Sequence, residues 1–225
     1  MNEGYFKSLN HIEQHEFMVN NFPSNAMSIS MRGKIYGVAS NDSGHMTQVV
    51  LDGFKFTDPC YRQWAHMLQR VFCEKYKARQ PTYEKASVCE EWLTFSNFMS
   101  WWESKKIMSH ELDKDLIYYG NKIYSPETCV FVPRWLNQFT LLRGRGRGAH
   151  PVGVSFSSSA KKYEAYCNNP ITRKKEHLGL FVDPALAHNA WLRKKMEWAD
   201  DLKPKMDEID ERIYLTVVKI ISEAK

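Results

Sequence analysis

The sequence predicts an α+β protein, because helical and strand patterns occupy separate blocks of the chain. Apolar side chains recur at helical spacing after Asp58, and again between residues 90 and 106. Three short β-prone runs lie between residues 152 and 181, and an alanine-rich helical segment follows Asp183. We therefore expect helices and small sheets arranged in two successive domains.

The first domain is expected to begin with a β-hairpin. Residues 35–39, 47–51 and 54–56 are rich in β-branched and aromatic side chains. The pair Asp52-Gly53 separates the last two runs and is typical of a tight hairpin turn. These runs predict three strands, of which the last two form the hairpin.

Residues 1–33 form a loosely amphipathic lead-in to this hairpin. His11 and His15 stand four residues apart and would share a face of a helix. Two histidines without a third ligand do not make a metal site, so we expect both at the surface.

Composition limits the functional classes. Of the 225 residues 43% are apolar and 13% aromatic, which excludes a disordered chain. A net charge of +5 permits a nucleic-acid partner. Five cysteines with no CxxC pair indicate reduced thiols in a cytosolic protein. No apolar run reaches the length of a membrane span and no signal-peptide pattern opens the chain, so we expect a cytoplasmic protein without a membrane partner.

A strand–turn–strand–helix pattern covers residues 110–137. Gly120-Asn121 suits a tight reversal, because both residues tolerate positive φ. Pro133 follows the second apolar run, and proline is favoured in the first turn of a helix. The expected unit is therefore two strands followed directly by a helix.

This pattern places two oxygen ligands on neighbouring elements. Asp113 lies in the first strand, and Asn137 lies one turn inside the helix. A carboxylate and a carboxamide from two packed elements can hold one hard divalent cation and leave positions open for water and phosphate. On spacing alone, an ordinary hairpin with solvated charges is the alternative.

The same stretch resembles the core of the HNH, or ββα-metal, homing endonucleases of phages and introns. The resemblance rests on Leu-Asp-Lys-Asp at 112–115, the Gly-Asn turn, the Ser-Pro-Glu-Thr-Cys step at 125–129 and Asn137, with a hairpin turn two residues longer. It implies a ββα-metal core and hydrolysis of phosphodiester bonds in double-stranded DNA, with Mg²⁺ or Mn²⁺ bound by Asp113 and Asn137. The implied catalytic set is Asp113, Lys114 and Asn137.

One residue departs from that family, because Lys114 stands where its members carry a general-base histidine. Lysine is a cation at neutral pH and a poor base, although it can stabilise charge on a phosphate. His110 is a candidate substitute base. Three functions therefore remain open: a slow endonuclease, a DNA-binding protein that kept the fold and lost the chemistry, and a phage inhibitor of a host protein. If the chain is phage-encoded, its compartment is the host cytoplasm.

Residues 143–149 form the clearest linker in the chain, since arginine alternates with glycine and no apolar anchor is present. Arg143, Arg145 and Arg147 are expected to lie along DNA phosphates and to order on binding. The alternative is a plain linker.

Residues 150–202 resemble the APETALA/ethylene-response-factor DNA-binding domain, a three-stranded sheet packed on one helix. Gly153-Val154, Tyr163 with Ala165, Leu178-Gly179 with Phe181 and the alanine-rich helix carry the resemblance. It implies DNA binding through the sheet. Serine, glutamate and tyrosine occupy much of the face that would read bases. The basic residues that remain for contacts with phosphates are Lys161, Lys162, Arg173, Lys174 and Lys175.

The last segment is expected to be an amphipathic helix with apolar residues from Met206 to Ile221. It would either pack back onto the body or form a homodimer contact. The expected organisation is a lead-in at 1–33, a nuclease domain at 34–142, a basic linker at 143–149, a DNA-binding domain at 150–202 and a C-terminal helix at 203–225.

Overall fold

The computed structural model describes residues 3–105, 111–141 and 150–224. Helices and small sheets alternate within them, which confirms the predicted α+β class. The chain divides into two compact units with the following ranges: an N-terminal unit of residues 1–114 and 121–129, and a C-terminal unit of residues 115–120 and 130–225. Residues 130–141 therefore group with the C-terminal unit, and the expected linker 143–149 lies outside the described residues.

The N-terminal unit is mostly helical. Its helices are α1 (Glu3–Ser8), α2 (His11–Asn21), α3 (Ala26–Ser30), α4 (Pro59–Phe72), α5 (Glu74–Arg79) and α6 (Phe95–Lys105). Its strands are β1 (Gln48–Leu51), β2 (Phe54–Thr57), β3 (Ser87–Val88), β4 (Glu111–Asp113) and β5 (Ile123–Tyr124). Strands β1 and β2 form the predicted antiparallel hairpin, and β3 pairs with β5 in parallel.

Two predicted elements of this unit differ in the structure. Residues 35–39 were expected to be a strand but form a tight turn, because Tyr36 and Gly37 have φ of 52° and 74° and reverse the chain. The helix expected over 90–106 begins as a 3₁₀ turn at Glu90–Leu93, and the extended backbone of Thr94 separates that turn from α6.

Helix α4 forms the centre of the N-terminal core. The Asp58 side chain caps its first turn by accepting a hydrogen bond from the Cys60 N–H at 2.9 Å. The helix buries Trp64, Met67 and Leu68 completely, and it packs against α2 and α6. Each such side chain contributes about 1.5–3 kcal/mol of hydrophobic stabilisation, so this helix holds the segments around it in place.

The C-terminal unit combines a sheet with three helices. Its strands are β6 (Val130–Val132), β7 (Val154–Ser157), β8 (Lys162–Asn168) and β9 (Lys175–Phe181). Its helices are α7 (Arg134–Thr140), α8 (Pro184–Asp207) and α9 (Arg212–Ser222). Strands β7, β8 and β9 form an antiparallel sheet in that order, and α8 packs on one face through Ala165, Ala187 and Ala190. The three strands and the helix agree with the predicted elements.

One apolar core joins the helices of this unit. It includes Leu136 and Phe139 of α7, Trp198 of α8, and Ile213 and Val217 of α9. Helix α9 therefore packs back onto α8, and its apolar face is not available for the homodimer contact that the sequence left open. Among the described helices, none is both long and apolar enough to span a bilayer.

Candidate functional site

The two expected metal ligands belong to different units. Asp113 is the last residue of β4 in the N-terminal unit, and Asn137 is the fourth residue of α7 in the C-terminal unit. Both side chains are half-buried. The convergence of Asp113 and Asn137 on one cation therefore stays a prediction.

Lys114 is enclosed by aromatic rings of the N-terminal unit. It is 5% exposed, and its Nζ lies 5.8 Å from the ring centroids of both Tyr83 and Tyr124. The Arg70 guanidinium stands 5.5 Å from the Tyr83 centroid, and its Nη1 donates a hydrogen bond to the Tyr124 hydroxyl at 3.4 Å. Ring faces attract cations, so the two tyrosines stabilise both positive charges.

The backbone around Lys114 is fixed by the predicted reversal. Gly120 has φ of 78°, as a tight turn at this position requires. The Asn121 side chain donates hydrogen bonds to the carbonyl oxygens of Lys114 at 2.6 Å and Ile123 at 2.7 Å. The position of Lys114 is therefore determined by both its main chain and its side chain.

The predicted DNA-binding cations lie at two ends of the C-terminal sheet. Lys161 precedes β8 and Lys162 begins it, while Arg173 and Lys174 lie in the turn before β9 and Lys175 begins that strand. All five are exposed, and none forms an ion pair with another described residue. Arg143, Arg145, Arg147 and His110 lie outside the described residues, so their roles stay predictions.

A buried cluster that the sequence did not indicate joins three elements of the N-terminal unit. His15 of α2, His45 of the loop before β1 and Asp58 before α4 are each at most 2% exposed. His15 Nδ1 donates to Asp58 Oδ1 at 2.9 Å, and His45 Nε2 donates to Asp58 Oδ2 at 2.7 Å. His15 is thus a buried residue, and the expectation that it lies at the surface was wrong.

The loop that carries His45 is held by an arginine. Arg32 donates hydrogen bonds to the carbonyl oxygens of Ser43 at 2.8 Å and His45 at 3.0 Å. The Asp58 N–H donates to the Thr47 carbonyl at 2.9 Å, which ties the same loop to the start of α4. These backbone contacts bring His45 to Asp58.

The cluster is a charged network. His15 Nε2 donates to Glu103 Oε1 at 3.0 Å, so both ring nitrogens face a carboxylate, an arrangement that favours the protonated ring. Burial opposes this charge, but the hydrogen bonds and charges of Asp58 and Glu103 outweigh burial and raise the pKa of His15. Burial likewise opposes the Asp58 carboxylate, but the hydrogen bonds from His15 and His45 outweigh it and lower the pKa of Asp58.

The ligand atoms of these three residues lie within 4.8 Å of one another, close enough for a metal ion. Two imidazoles and a carboxylate suit zinc or iron, whereas Mg²⁺ prefers oxygen ligands. A structural zinc site takes four ligands, and among the described residues this group offers three. Because His15 and His45 already bond to the two oxygens of the Asp58 carboxylate, we interpret the cluster as an ion-pair network and not as a metal site.

The cysteines add no further candidate site among the described residues. All five cysteines are unpaired, as predicted, and burial raises the pKa of Cys129 to about 12.

Comparisons of the chain with protein-family models, with curated proteins and with solved structures find no match.

Proposed function

We propose that this chain is a metal-dependent DNA endonuclease of the HNH type that holds duplex DNA through its C-terminal sheet. The observation that carries the DNA-binding part is the set of five exposed, unpaired cations at the two ends of that sheet. Cations without acidic partners are available to neutralise phosphates and to release their counterions.

The spacing of these cations suits a duplex. Strand β8 runs from Lys162 to Asn168 and separates the two turns that carry the cations. Six steps of about 3.3 Å give a separation of roughly 20 Å. The major groove of B-DNA is about 12 Å wide between its two backbones. A sheet of this length would bring one cationic turn to the phosphates on each side of the groove.

The outer face of the sheet, which points away from α8, favours affinity over sequence preference. It presents Ser155, Glu164, Tyr166, His177 and Leu180. The Tyr166 hydroxyl donates to Glu164 at 3.1 Å, so these two side chains are partly committed to each other. This face carries no arginine to read guanine, and phosphate contacts dominate.

Neutralising three of the lysines is expected to weaken duplex binding and to reduce its salt dependence. The change is Lys161→Gln, Lys162→Gln and Lys174→Gln together. Each lost phosphate contact lowers the slope of log K against log salt by about 0.9, so the slope should fall by up to about 3. Fluorescence anisotropy of a labelled duplex across a salt series measures both quantities.

The matched control neutralises three exposed lysines on helices of the same unit: Lys203, Lys205 and Lys219. This variant carries the same net charge but should keep the wild-type slope. Equal slopes for the two triple variants would show that only net charge matters and would contradict the proposed surface. A further loss of slope on replacing Arg143, Arg145 and Arg147 is expected if that segment also lies on phosphates.

The hydrolytic part is supported by the order of the elements and by the donor set. β4 ends at Asp113, and β6 leads into α7, which carries Asn137. Carboxylate and carboxamide oxygens are suitable ligands for Mg²⁺ or Mn²⁺. A bound cation would supply Lewis-acid chemistry toward the phosphate, while Asp113 and Asn137 would hold and orient it.

Replacing Asp113 by alanine is expected to reduce nicking of supercoiled plasmid at least about 100-fold, because the cation loses its charged ligand. Lys114→His should raise the rate by supplying a base with a pKa near neutrality. Gel assays with Mg²⁺ or Mn²⁺ measure both changes, and Glu111→Gln in the same strand serves as the control. Undiminished cleavage by the Asp113→Ala protein would rule out the proposed site.

The enclosure of Lys114 favours a second candidate, a DNA-binding protein of this fold without hydrolytic activity. Its ammonium lies against Tyr83 and Tyr124 and is almost fully buried. Cleavage by neither the wild type nor Lys114→His, with salt-dependent duplex binding intact, would establish this second function.

A further inference from the structure

A cavity of about 510 Å³ opens within the C-terminal unit. It lies between α7, the start of β7, the β8–β9 turn and the middle of α8. Its size falls within the range of small-molecule sites, about 300–1,000 Å³. Among the described residues, no aspartate or glutamate lines it.

Lys195 of α8 forms part of the inner wall. It is 8% exposed, and its Nζ donates one hydrogen bond, to the Phe139 carbonyl at 2.6 Å. An ammonium has three donors, and no described carboxylate lies within ion-pair distance of this one. Burying a cation without an anionic partner is costly, so Lys195 marks a position where a negative group would be stabilised.

Among the described residues, no anionic group near Lys195 balances its charge. Burial raises the pKa of the nearby Cys167 thiol to about 11, so this thiol is neutral at neutral pH. Burial also lowers the pKa of Lys195 to about 8, which leaves most of its amines protonated near pH 7. The Phe139 and Trp191 rings, with centroids 3.8 Å and 5.8 Å from Nζ, also face the charge.

Two more cations stand at the rim of the cavity. Arg173 and Lys175 are exposed and have no acidic partner among the described residues. The Lys175 Nζ lies 3.6 Å from the centroid of the Tyr166 ring, which also lines the cavity. One buried and two exposed cations therefore face a single concave space.

The rest of the lining suits a flat, polar ring. Trp135 and Tyr166 offer aromatic faces on which a ring can stack. The side-chain amides of Gln138 and Asn168 have no hydrogen-bond partner among the described residues, so each offers a donor and an acceptor. A phosphate alone would leave these aromatic and amide groups unused.

We propose that this cavity binds a nucleoside 5′-phosphate, with the phosphate on Lys195, Arg173 and Lys175 and the base against Trp135 or Tyr166. Two sources share this chemistry, a free mononucleotide and the 5′-phosphorylated end of a DNA strand. The inference goes beyond DNA binding and cleavage, because it adds the buried Lys195 to Arg173 and Lys175, which the proposed duplex surface also uses.

The test is isothermal titration calorimetry of the full chain with the four deoxynucleoside 5′-monophosphates. We expect saturable binding by at least one of them, and binding at least about tenfold weaker to the matching nucleoside and to inorganic phosphate. Lys195→Met, which keeps the apolar stem, should weaken nucleotide binding about tenfold or more. The exposed change Lys205→Gln, on the same helix as Lys195 but outside the cavity lining, should leave it unaltered.

Arg173→Gln provides a second variant at an exposed position, where loss of the charge does not disturb the core. It should weaken nucleotide binding even if Lys195→Met fails to fold. No binding of any of the four nucleotides at millimolar concentration would overturn the proposal. Equal binding of inorganic phosphate, or unchanged binding by both folded variants, would overturn it as well.

Short single-stranded oligonucleotides with and without a 5′-phosphate distinguish the two sources. A preference for the phosphorylated oligonucleotide that Lys195→Met removes supports the strand end, whereas binding of free nucleotides alone supports the metabolite. Duplex binding separates this proposal from the proposed function, because Lys195→Met should keep the wild-type salt slope and Lys174→Gln should not.

Discussion

Replacing Asp58 by alanine is expected to destabilise the protein by about 3–5 kcal/mol, because a buried ion pair loses one partner and leaves the other charge uncompensated. Asp58 accepts hydrogen bonds from His15, His45 and the Cys60 N–H, so one substitution removes the anion of the network and the cap of α4. Urea unfolding followed by tryptophan fluorescence measures the change, which is a large fraction of a typical stability of about 5–15 kcal/mol.

The control is Glu103→Gln, which alters the other carboxylate bonded to His15. The Glu103 side chain is 49% exposed, whereas that of Asp58 is fully buried. An exposed ion pair typically contributes about 0–1 kcal/mol, so this variant should lose far less stability. Similar losses of stability for Asp58→Ala and Glu103→Gln would show that burial does not increase the contribution of these ion pairs to stability.

The same network predicts a pH dependence of stability. Because the pKa of His15 is raised, its contribution is complete below the ordinary histidine value near 6.5 and is lost as pH rises through the raised value. Because the pKa of Asp58 is lowered, its contribution is present above the ordinary value near 3.8 and is lost as pH falls through the lowered value. The difference in unfolding free energy between wild type and His15→Gln should therefore be largest between about pH 4 and 6.5 and should shrink toward pH 9. Unfolding curves at each pH measure it, and a difference independent of pH would contradict the ionised pair.

Gly153→Ala is expected to cost about 3 kcal/mol or more, since it combines backbone strain with overpacking. Gly153 has φ of 79°, and a Cβ at this position would stand 2.1 Å from Cδ1 of Trp191. Trp191 is 4% exposed, is stacked on His188 and cannot move without disturbing the core. Thermal and urea unfolding should both show the loss.

Gly120→Ala separates the two contributions to that cost. Gly120 has φ of 78°, almost the same as Gly153, but a Cβ there would meet nothing within 4 Å. Its loss should therefore reflect backbone strain alone, about 1 kcal/mol. An equal loss of stability at both positions would mean that Trp191 can shift at little energetic cost to accommodate the added methyl group.

Local patterns predicted the regular elements of the fold, because their causes lie within short stretches of sequence. The cap at Asp58, the Asp-Gly turn of the hairpin and the alternation in residues 152–181 each act over a few residues. The 35–39 turn was missed, since β-branched and aromatic residues predicted a strand and Tyr36 adopts a positive φ that its side chain does not favour.

The sites that the structure reveals depend on long-range packing, which periodicity does not contain. His15 comes from the middle of α2, His45 from a loop and Asp58 from the start of α4, and only tertiary contacts bring them together. Nothing in the sequence distinguishes Lys195 from the exposed lysines of α8. Its burial follows from the packing of α7 over it. Local sequence patterns therefore do not predict which distant residues contact each other.

The parallel pairing of β3 with β5 has a consequence for how the protein is made. Ser87 and Val88 pair with Ile123 and Tyr124, and the Cys89 N–H donates to the Tyr124 carbonyl at 2.9 Å. On a ribosome the N-terminal unit cannot complete its fold until residues 121–129 have left the exit tunnel, after residues 115–120 of the other unit have already emerged. A nascent chain stalled shortly after residue 114 should therefore remain sensitive to protease. This sensitivity should end only when β5 has emerged and paired with β3.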